Sequence, residues 1–188
     1  IKSKPLVSVI VPVFNAHDLV VRATLSLLRQ TYPNIEIILI DDGSTDCSLD
    51  RLAHAFPGEK RLKVLKNTVN LGPSLTRNRG IQFAAGNYVA FFETDMIADR
   101  SWLAEMVKFF QTHPRVGAAH SRVFDLKRKK HIQADGMLLI PHTGWVVMRN
   151  YGRTVSQADG SISPCLIGSV GTFVRRSLLK QIGGFDEK

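Results

Sequence analysis

The sequence predicts an α/β domain with a mainly parallel central sheet flanked by helices. Two observations carry that expectation. Runs of β-branched and other apolar residues alternate along the chain with stretches whose apolar positions recur at helical spacing, the pattern of successive βαβ units. The apolar runs are also continuous rather than alternating with polar residues, as strands buried on both faces are. At 188 residues, 44% hydrophobic and 22% charged, the chain suits one soluble domain with a substantial core.

Val7 to Val13 is a β-branched run closed by Phe14-Asn15, the expected first strand. From Asp18, the residues Leu19, Ala23, Leu27 and Leu28 keep helical spacing up to Gln30, and Tyr32-Pro33-Asn34 closes that helix. Ile35 to Ile40 is a second strand, ending in Asp41-Asp42-Gly43-Ser44-Thr45-Asp46. Ser44 or Thr45 is expected to cap a helix running to about Phe56, which Pro57-Gly58 stops. Leu62 to Leu65 is a shorter strand, and Pro73 opens a helix that continues through Ala84-Ala85.

Tyr88 to Phe92 follows Gly86-Asn87 as a buried strand and stops at Glu93-Thr94-Asp95. A helix from about Ser101 to Gln111 ends at His113-Pro114, and Val116 to Phe124 reads as one further strand. Beyond Asp125 the regularity fades. Lys127-Arg128-Lys129-Lys130 reads as a solvated hairpin tip, with contact to an anionic acceptor near a lipid surface as its alternative. Irregular strands are expected over 132–151, and a polar, glycine-containing loop over 156–163. Ser169 to Val174 reads as a short strand, and Ser177 to Ile182 as a helix ended by Gly183-Gly184.

Ligands of an open parallel sheet bind beyond the carboxyl ends of its strands. By that rule Pro12, Phe14 and Asn15, then Asp41 and Asp42, then Glu93, Thr94 and Asp95 gather at one edge. Strand alternation would turn Glu93 and Asp95 to one side and Thr94 to the other. Two converging carboxylates supply hard oxygen ligands for Mg²⁺ or Mn²⁺ on a diphosphate; alone, they read equally well as an acidic turn. The segment after the first strand has no glycine, which excludes the dinucleotide-binding fingerprint, and no P-loop is present. A sugar-nucleotide pyrophosphorylase would want a glycine- and base-rich loop there and is disfavoured for the same reason.

Twenty-five basic and sixteen acidic residues give a net charge of +9, which favours anionic partners such as a nucleotide diphosphate or an anionic lipid surface. No RNA-binding aromatic signature, zinc-finger spacing or basic helix is present, so nucleic acid is not an expected partner. The six histidines lack metal-ligand spacing. Cys47 and Cys165 stand in dissimilar contexts, which favours reduced thiols and a cytoplasmic setting, although a disulfide between them stays open. No apolar run reaches membrane-spanning length. The chain opens on Ile1 and closes on Gly184-Phe185-Asp186-Glu187-Lys188, and is expected to be a fragment of a longer protein.

Four blocks then combine: residues 7–15 (Val-Ser-Val-Ile-Val-Pro-Val-Phe-Asn), 41–46 (Asp-Asp-Gly-Ser-Thr-Asp), 76–81 (Thr-Arg-Asn-Arg-Gly-Ile) and 85–95 (Ala-Gly-Asn-Tyr-Val-Ala-Phe-Phe-Glu-Thr-Asp). In order and spacing the chain resembles the family 2 glycosyltransferases of the GT-A fold, and the similarity extends to Gly-Gly-Phe-Asp-Glu at 183–187. Residues 132–136 and 170–176 are similar to bacterial members that build O-antigen and other surface polysaccharides. The resemblance implies a single domain over 1–188, with a nucleotide-binding half (1–125) and an incomplete acceptor-side half (126–188). It implies transfer with inversion from a nucleotide sugar, with a UDP- or dTDP-sugar expected, to a saccharide or lipid-linked acceptor at or near the cytoplasmic face of a membrane.

By the same resemblance, Pro12 and Phe14 line the base pocket, Asn15 lies beside them, and Asp42 binds the base or ribose while Asp41 fixes the turn. Arg77 lies near the donor, and Glu93-Thr94-Asp95 takes the place of the family's metal-binding D-x-D. Asp95 is the stronger metal ligand, and Glu93, longer than the usual Asp by one methylene, binds directly, through water, or to the ribose. The family's catalytic base is expected beyond Lys188, so none is assigned. Asp186 reads as a post-helix turn residue, while Asp135 and His142 fall in the acceptor-side region. A non-catalytic nucleotide-sugar-binding module of the same fold is the alternative function.

Overall fold

The structure, a computed structural model, describes residues 4–128, 130–140, 145–158, 160, 168 and 170–187. The described residues form a central sheet from β1 (Val7–Val13), β2 (Ile35–Asp41), β3 (Leu62–Lys66), β4 (Tyr88–Phe91), β5 (Ala118–His120) and, late in the chain, β10 (Thr172–Arg175). The order across the sheet is β3-β2-β1-β4-β10-β5. The pairs β1–β2, β2–β3 and β1–β4 are parallel, while β10 runs antiparallel to both β4 and β5.

Strand alternation divides the core in two. Val7, Val9, Val11 and Val13 of β1 and Tyr88 and Ala90 of β4 face one layer, with Phe92 just past the strand. They pack on Val20, Ala23 and Leu27 of α1 (His17–Leu28) and on Leu103, Val107 and Phe110 of α4 (Trp102–Thr112). Ile10, Ile38, Ile40, Val89 and Phe91 face the other way with Val174. That second face lies under α3 (Pro73–Phe83) and α5 (Arg176–Ile182), and it buries Leu179. Both faces are covered, which is why the central strands are apolar apart from Ser8, Glu36 and the terminal Asp41. Gly80 lets α3 lie close, since a Cβ there would sit 2.6 Å from Ile10 Cγ2.

Several boundaries differ from expectation. The helix α2 (Ser48–Ala55) has its N-cap at Cys47, not at Ser44 or Thr45; those two residues are engaged in joining the first two strand tips. The expected strand over 116–124 is divided: Ser121 bonds to Gly171, and the chain then leaves the sheet. Val123–Phe124 (β6) instead pairs antiparallel with Ile132–Ala134 (β7). Lys127 and Arg128 sit between them, their backbone N–H groups bonded to Asp125, as a hairpin tip should be. Met137–Ile140 (β8) and Trp145–Met148 (β9) form a separate antiparallel pair. A 3-10 turn covers Val155–Gln157, capped by Thr154. Among the described residues no helix is long and apolar enough to cross a membrane.

A buried carboxylate joins the opposite ends of the same strands. Glu36, 6% exposed, accepts from Ser8 Oγ–H, from Lys63 Nζ at 2.6 Å and from the Ala85 N–H at 2.8 Å. Burial pushes the Glu36 carboxyl up, but the Lys63, Ser8 and Ala85 bonds outweigh it and hold it below its ordinary 4.5. A depressed native pKa gives stability that is complete above the unfolded value and is lost as pH falls through the native one. Acid titration of the unfolding free energy should therefore fall below pH 4.5, and Glu36→Gln should flatten that limb; an unchanged slope would reject the assignment.

Candidate active site

The tips of β2, β1 and β4 stand side by side on one rim. Val13 is in register with Asp41, and Ile10 with Phe91. Neighbouring strands lie about 4.8 Å apart and β4 ends three residues short of the β1–β2 pair, so the outer two tips are roughly 14 Å apart.

The β1 tip is held by the β2 tip. Asn15 Oδ1 accepts the Thr45 N–H at 2.9 Å, and the Asn15 N–H donates to Ser44 Oγ at 3.0 Å. Ser48 Oγ accepts the backbone N–H groups of Ala16 and His17 at 2.9 and 2.8 Å, and Asp46 Oδ2 accepts the His17 N–H at 3.0 Å. Asn15 and His17 have φ of 46° and 40°, a left-handed backbone that non-glycine residues adopt at a cost. Four of these five bonds end on Asn15 or His17 and hold them there. Asn15 is thus committed to the other loop, whereas the Phe14 ring is 49% exposed beside a half-buried Pro12.

Asp41 and Asp42 are both buried. Asp41 Oδ1 accepts the Ser44 N–H at 3.3 Å, as a turn-fixing residue should, and its Oδ2 has no partner among the described residues. Asp42 accepts from Asn67 Nδ2 (2.7 Å), the Leu71 N–H (2.9 Å) and the Gly72 N–H (3.0 Å). It fastens segment 67–72 to the end of β2. Burial pushes the Asp42 carboxyl up, yet those bonds and the Thr76 hydroxyl hold it below 3.8, so it stays ionised. Asn67 is in turn fixed by Arg79 through its Oδ1 and by Thr76.

At the third tip, strand geometry ends at Phe91, and Thr94 and Asp95 lie in a turn. The two-residue alternation therefore does not reach the carboxylates. Glu93 Oε1 accepts from Arg77 Nη2 at 2.6 Å, with side chains 23% and 11% exposed. Thr94 is half-buried, and Asp95 is exposed, without a hydrogen bond among the described residues. Arg77 Cζ also lies 5.6 Å from the centre of the Phe185 ring, within cation–π reach.

The C-terminal block reaches the site through a contact the sequence did not foretell. Asn78 Oδ1 accepts the Phe185 N–H at 2.8 Å, and its Nδ2 donates to the Phe185 carbonyl at 2.9 Å. Only the helical adjacency of Asn78 to Arg77 hinted at such a role. Nearby, Trp102 tilts against Phe92 at 5.4 Å, and its Nε1–H donates to Ser121 Oγ at 2.6 Å. Beyond residue 126, Asp135 accepts from Arg122 (3.0 Å) and Asn150 (2.7 Å). His142, Cys165 and part of the 156–163 loop fall outside the described residues. Cys47 is an exposed free thiol.

Among the described residues no group of three or more His, Cys, Asp or Glu could enclose a metal ion. One exposed hard-oxygen carboxylate, Asp95, does fit the mode in which Mg²⁺ or Mn²⁺ is shared between one or two carboxylates, water and substrate phosphates. Two concavities, of about 680 Å³ between α1 and α2 and about 430 Å³ beside Gly86, Arg175 and Lys180, are lined by none of the expected site residues.

Residues 8–183 match the family model described as Glycosyl transferase family 2. An uncharacterized glycosyltransferase of Haemophilus influenzae is 40% identical over 110 residues, covering 58% of this chain and 44% of its own length. The putative teichuronic acid biosynthesis glycosyltransferase TuaG of Bacillus subtilis is 37% identical over 106 residues, 56% of this chain and 42% of its own. The mannosyltransferase PcManGT from Pyrobaculum calidifontis, solved with GDP-Man and Mn²⁺, superposes with a TM-score of 0.72 at 21% identity over 100% of this chain and 49% of its own. The chain thus spans less than half the length of both relatives, and the structural match shows the shared fold.

Proposed function

The chain belongs to glycosyl transferase family 2, and from that premise we propose that it binds the donor in transfer of a sugar from a nucleoside-diphosphate sugar to a hydroxyl acceptor. Transfer proceeds with inversion, and the product is a bacterial cell-surface polysaccharide, as the name of the TuaG relative suggests for that protein. The observation that carries the reading is the alignment of the β1, β2 and β4 tips on one rim.

In this reading Pro12 and the exposed Phe14 ring flank the base, with Asn15 holding their loop in place. The Asp42-anchored segment 67–72 forms the opposite wall, and Asp42 is the carboxylate nearest the base and ribose. Asp41 keeps the β2 turn closed. Arg77 presents a guanidinium to the diphosphate, beside Glu93 and Thr94. Asp95 would hold a Mg²⁺ or Mn²⁺ ion, whose positive charge would stabilise the departing diphosphate. The acceptor, a saccharide or a lipid-linked sugar, approaches from the half beyond residue 126 near the cytoplasmic membrane face.

A thermal-shift screen with UDP-, GDP- and dTDP-sugars tests this. A UDP- or dTDP-sugar with Mn²⁺ should raise the melting temperature, since ligand at 100 times Kd stabilises by about 2.7 kcal/mol. No shift with any of the three, with or without metal, would reject the donor site.

A further inference from the structure

Family resemblance puts Glu93 in a metal-binding motif, but the geometry gives it a different task. Its Oε1 is 2.6 Å from Arg77 Nη2, and neither side chain is more than a quarter exposed. The Arg77 guanidinium also lies over the Phe185 ring, 5.6 Å from Cζ to its centre. That ring is itself fixed, edge-on against Phe91 at 5.1 Å and gripped at both backbone groups by Asn78. Arg77 Nε–H is buried and lacks an acceptor among the described residues. The guanidinium is therefore held in one orientation with a donor still unused. A cation bound directly to Glu93 would have to sit beside that guanidinium, like charge against like, whereas Asp95 is exposed and carries no such neighbour.

We propose that Glu93 is a positioning residue, which aims Arg77 at the donor diphosphate while the cation is left to Asp95. This rests on the donor-site reading above. Its physical basis is that a fixed guanidinium loses little freedom on gripping phosphate, while an untethered one must be ordered at the moment of binding.

Calorimetry on the whole chain separates the alternatives, using UDP and GDP against uridine and guanosine, each with and without Mn²⁺. Glu93→Gln and Arg77→Lys should each weaken the diphosphates about tenfold. The double variant should be little worse than either single one. Affinity for the nucleosides, which carry no phosphate, should stay the same, and a general folding defect would lower it. In Glu93→Gln the Mn²⁺ enhancement should survive, whereas Asp95→Ala should lose it. Loss of Mn²⁺ enhancement in Glu93→Gln, additive effects in the double variant, or equal weakening of nucleosides would each overturn the proposal while leaving the donor site standing. A wild-type chain that binds neither diphosphate would overturn both.

Discussion

Replacing Asp95 by alanine is expected to abolish the dependence of nucleotide binding on Mn²⁺ or Mg²⁺ while leaving the fold intact. Asp95 is exposed and bonds to nothing among the described residues, so its removal breaks no packing, and surface changes of that kind cost within about 0.5 kcal/mol. The chemical effect should be far larger. Outer-shell partners of a metal ligand are typically worth 10–100-fold in affinity, and the ligand itself should exceed that. Titrating UDP in the presence and absence of Mn²⁺ decides the matter: equal, metal-independent binding by both forms would refute the site.

The second large effect should come from Asp42→Ala, and it should be seen first in stability. The substitution removes the acceptor that gathers the backbone N–H groups of Leu71 and Gly72 and the amide of Asn67; Gly72 keeps Asn70 Oδ1 and Asn67 keeps Thr76 Oγ1, so the Leu71 N–H is the one left without its partner. A donor left unsatisfied costs about 1–3 kcal/mol, so denaturant unfolding should show a loss of about that size. Segment 67–72 should then detach from the β2 tip and nucleotide affinity should fall with it. Asp42→Asn keeps one carbonyl acceptor and should recover part of the stability. A variant as stable as wild type would mean that the segment is held by something else.

Much of this was legible in the chain because local pattern and global fold agree. The apolar runs at 7–13, 35–40 and 88–92, broken by Ser8 and Glu36, became the three central strands, their residues alternating between two covered faces. What the sequence could not show were contacts between residues far apart in the chain. Strand periodicity suggested that Glu93 and Asp95 act as a pair, but the strand stops at Phe91 and Glu93 turns to Arg77. Ser44 and Thr45 carry good capping side chains, and the structure uses them to secure Asn15 instead. The division of 116–124 depended on a partner about fifty residues later, which no local reading supplies. Asn78 and Phe185 are likewise more than a hundred residues apart.

That late partner has a consequence for how the domain comes into being. Because β10 lies between β4 and β5, the outer side of β4 stays unpaired until Thr172 to Arg175 have left the ribosome. Until then Val89 and Ala90, fully buried in the finished sheet, border an open strand edge, the kind of surface that captures other chains. Closing so long a loop is slow relative to forming the local βαβ units. Synthesis and assembly are therefore out of step here, and the interval between them is when the nascent domain is most exposed to aggregation and has most use for a chaperone.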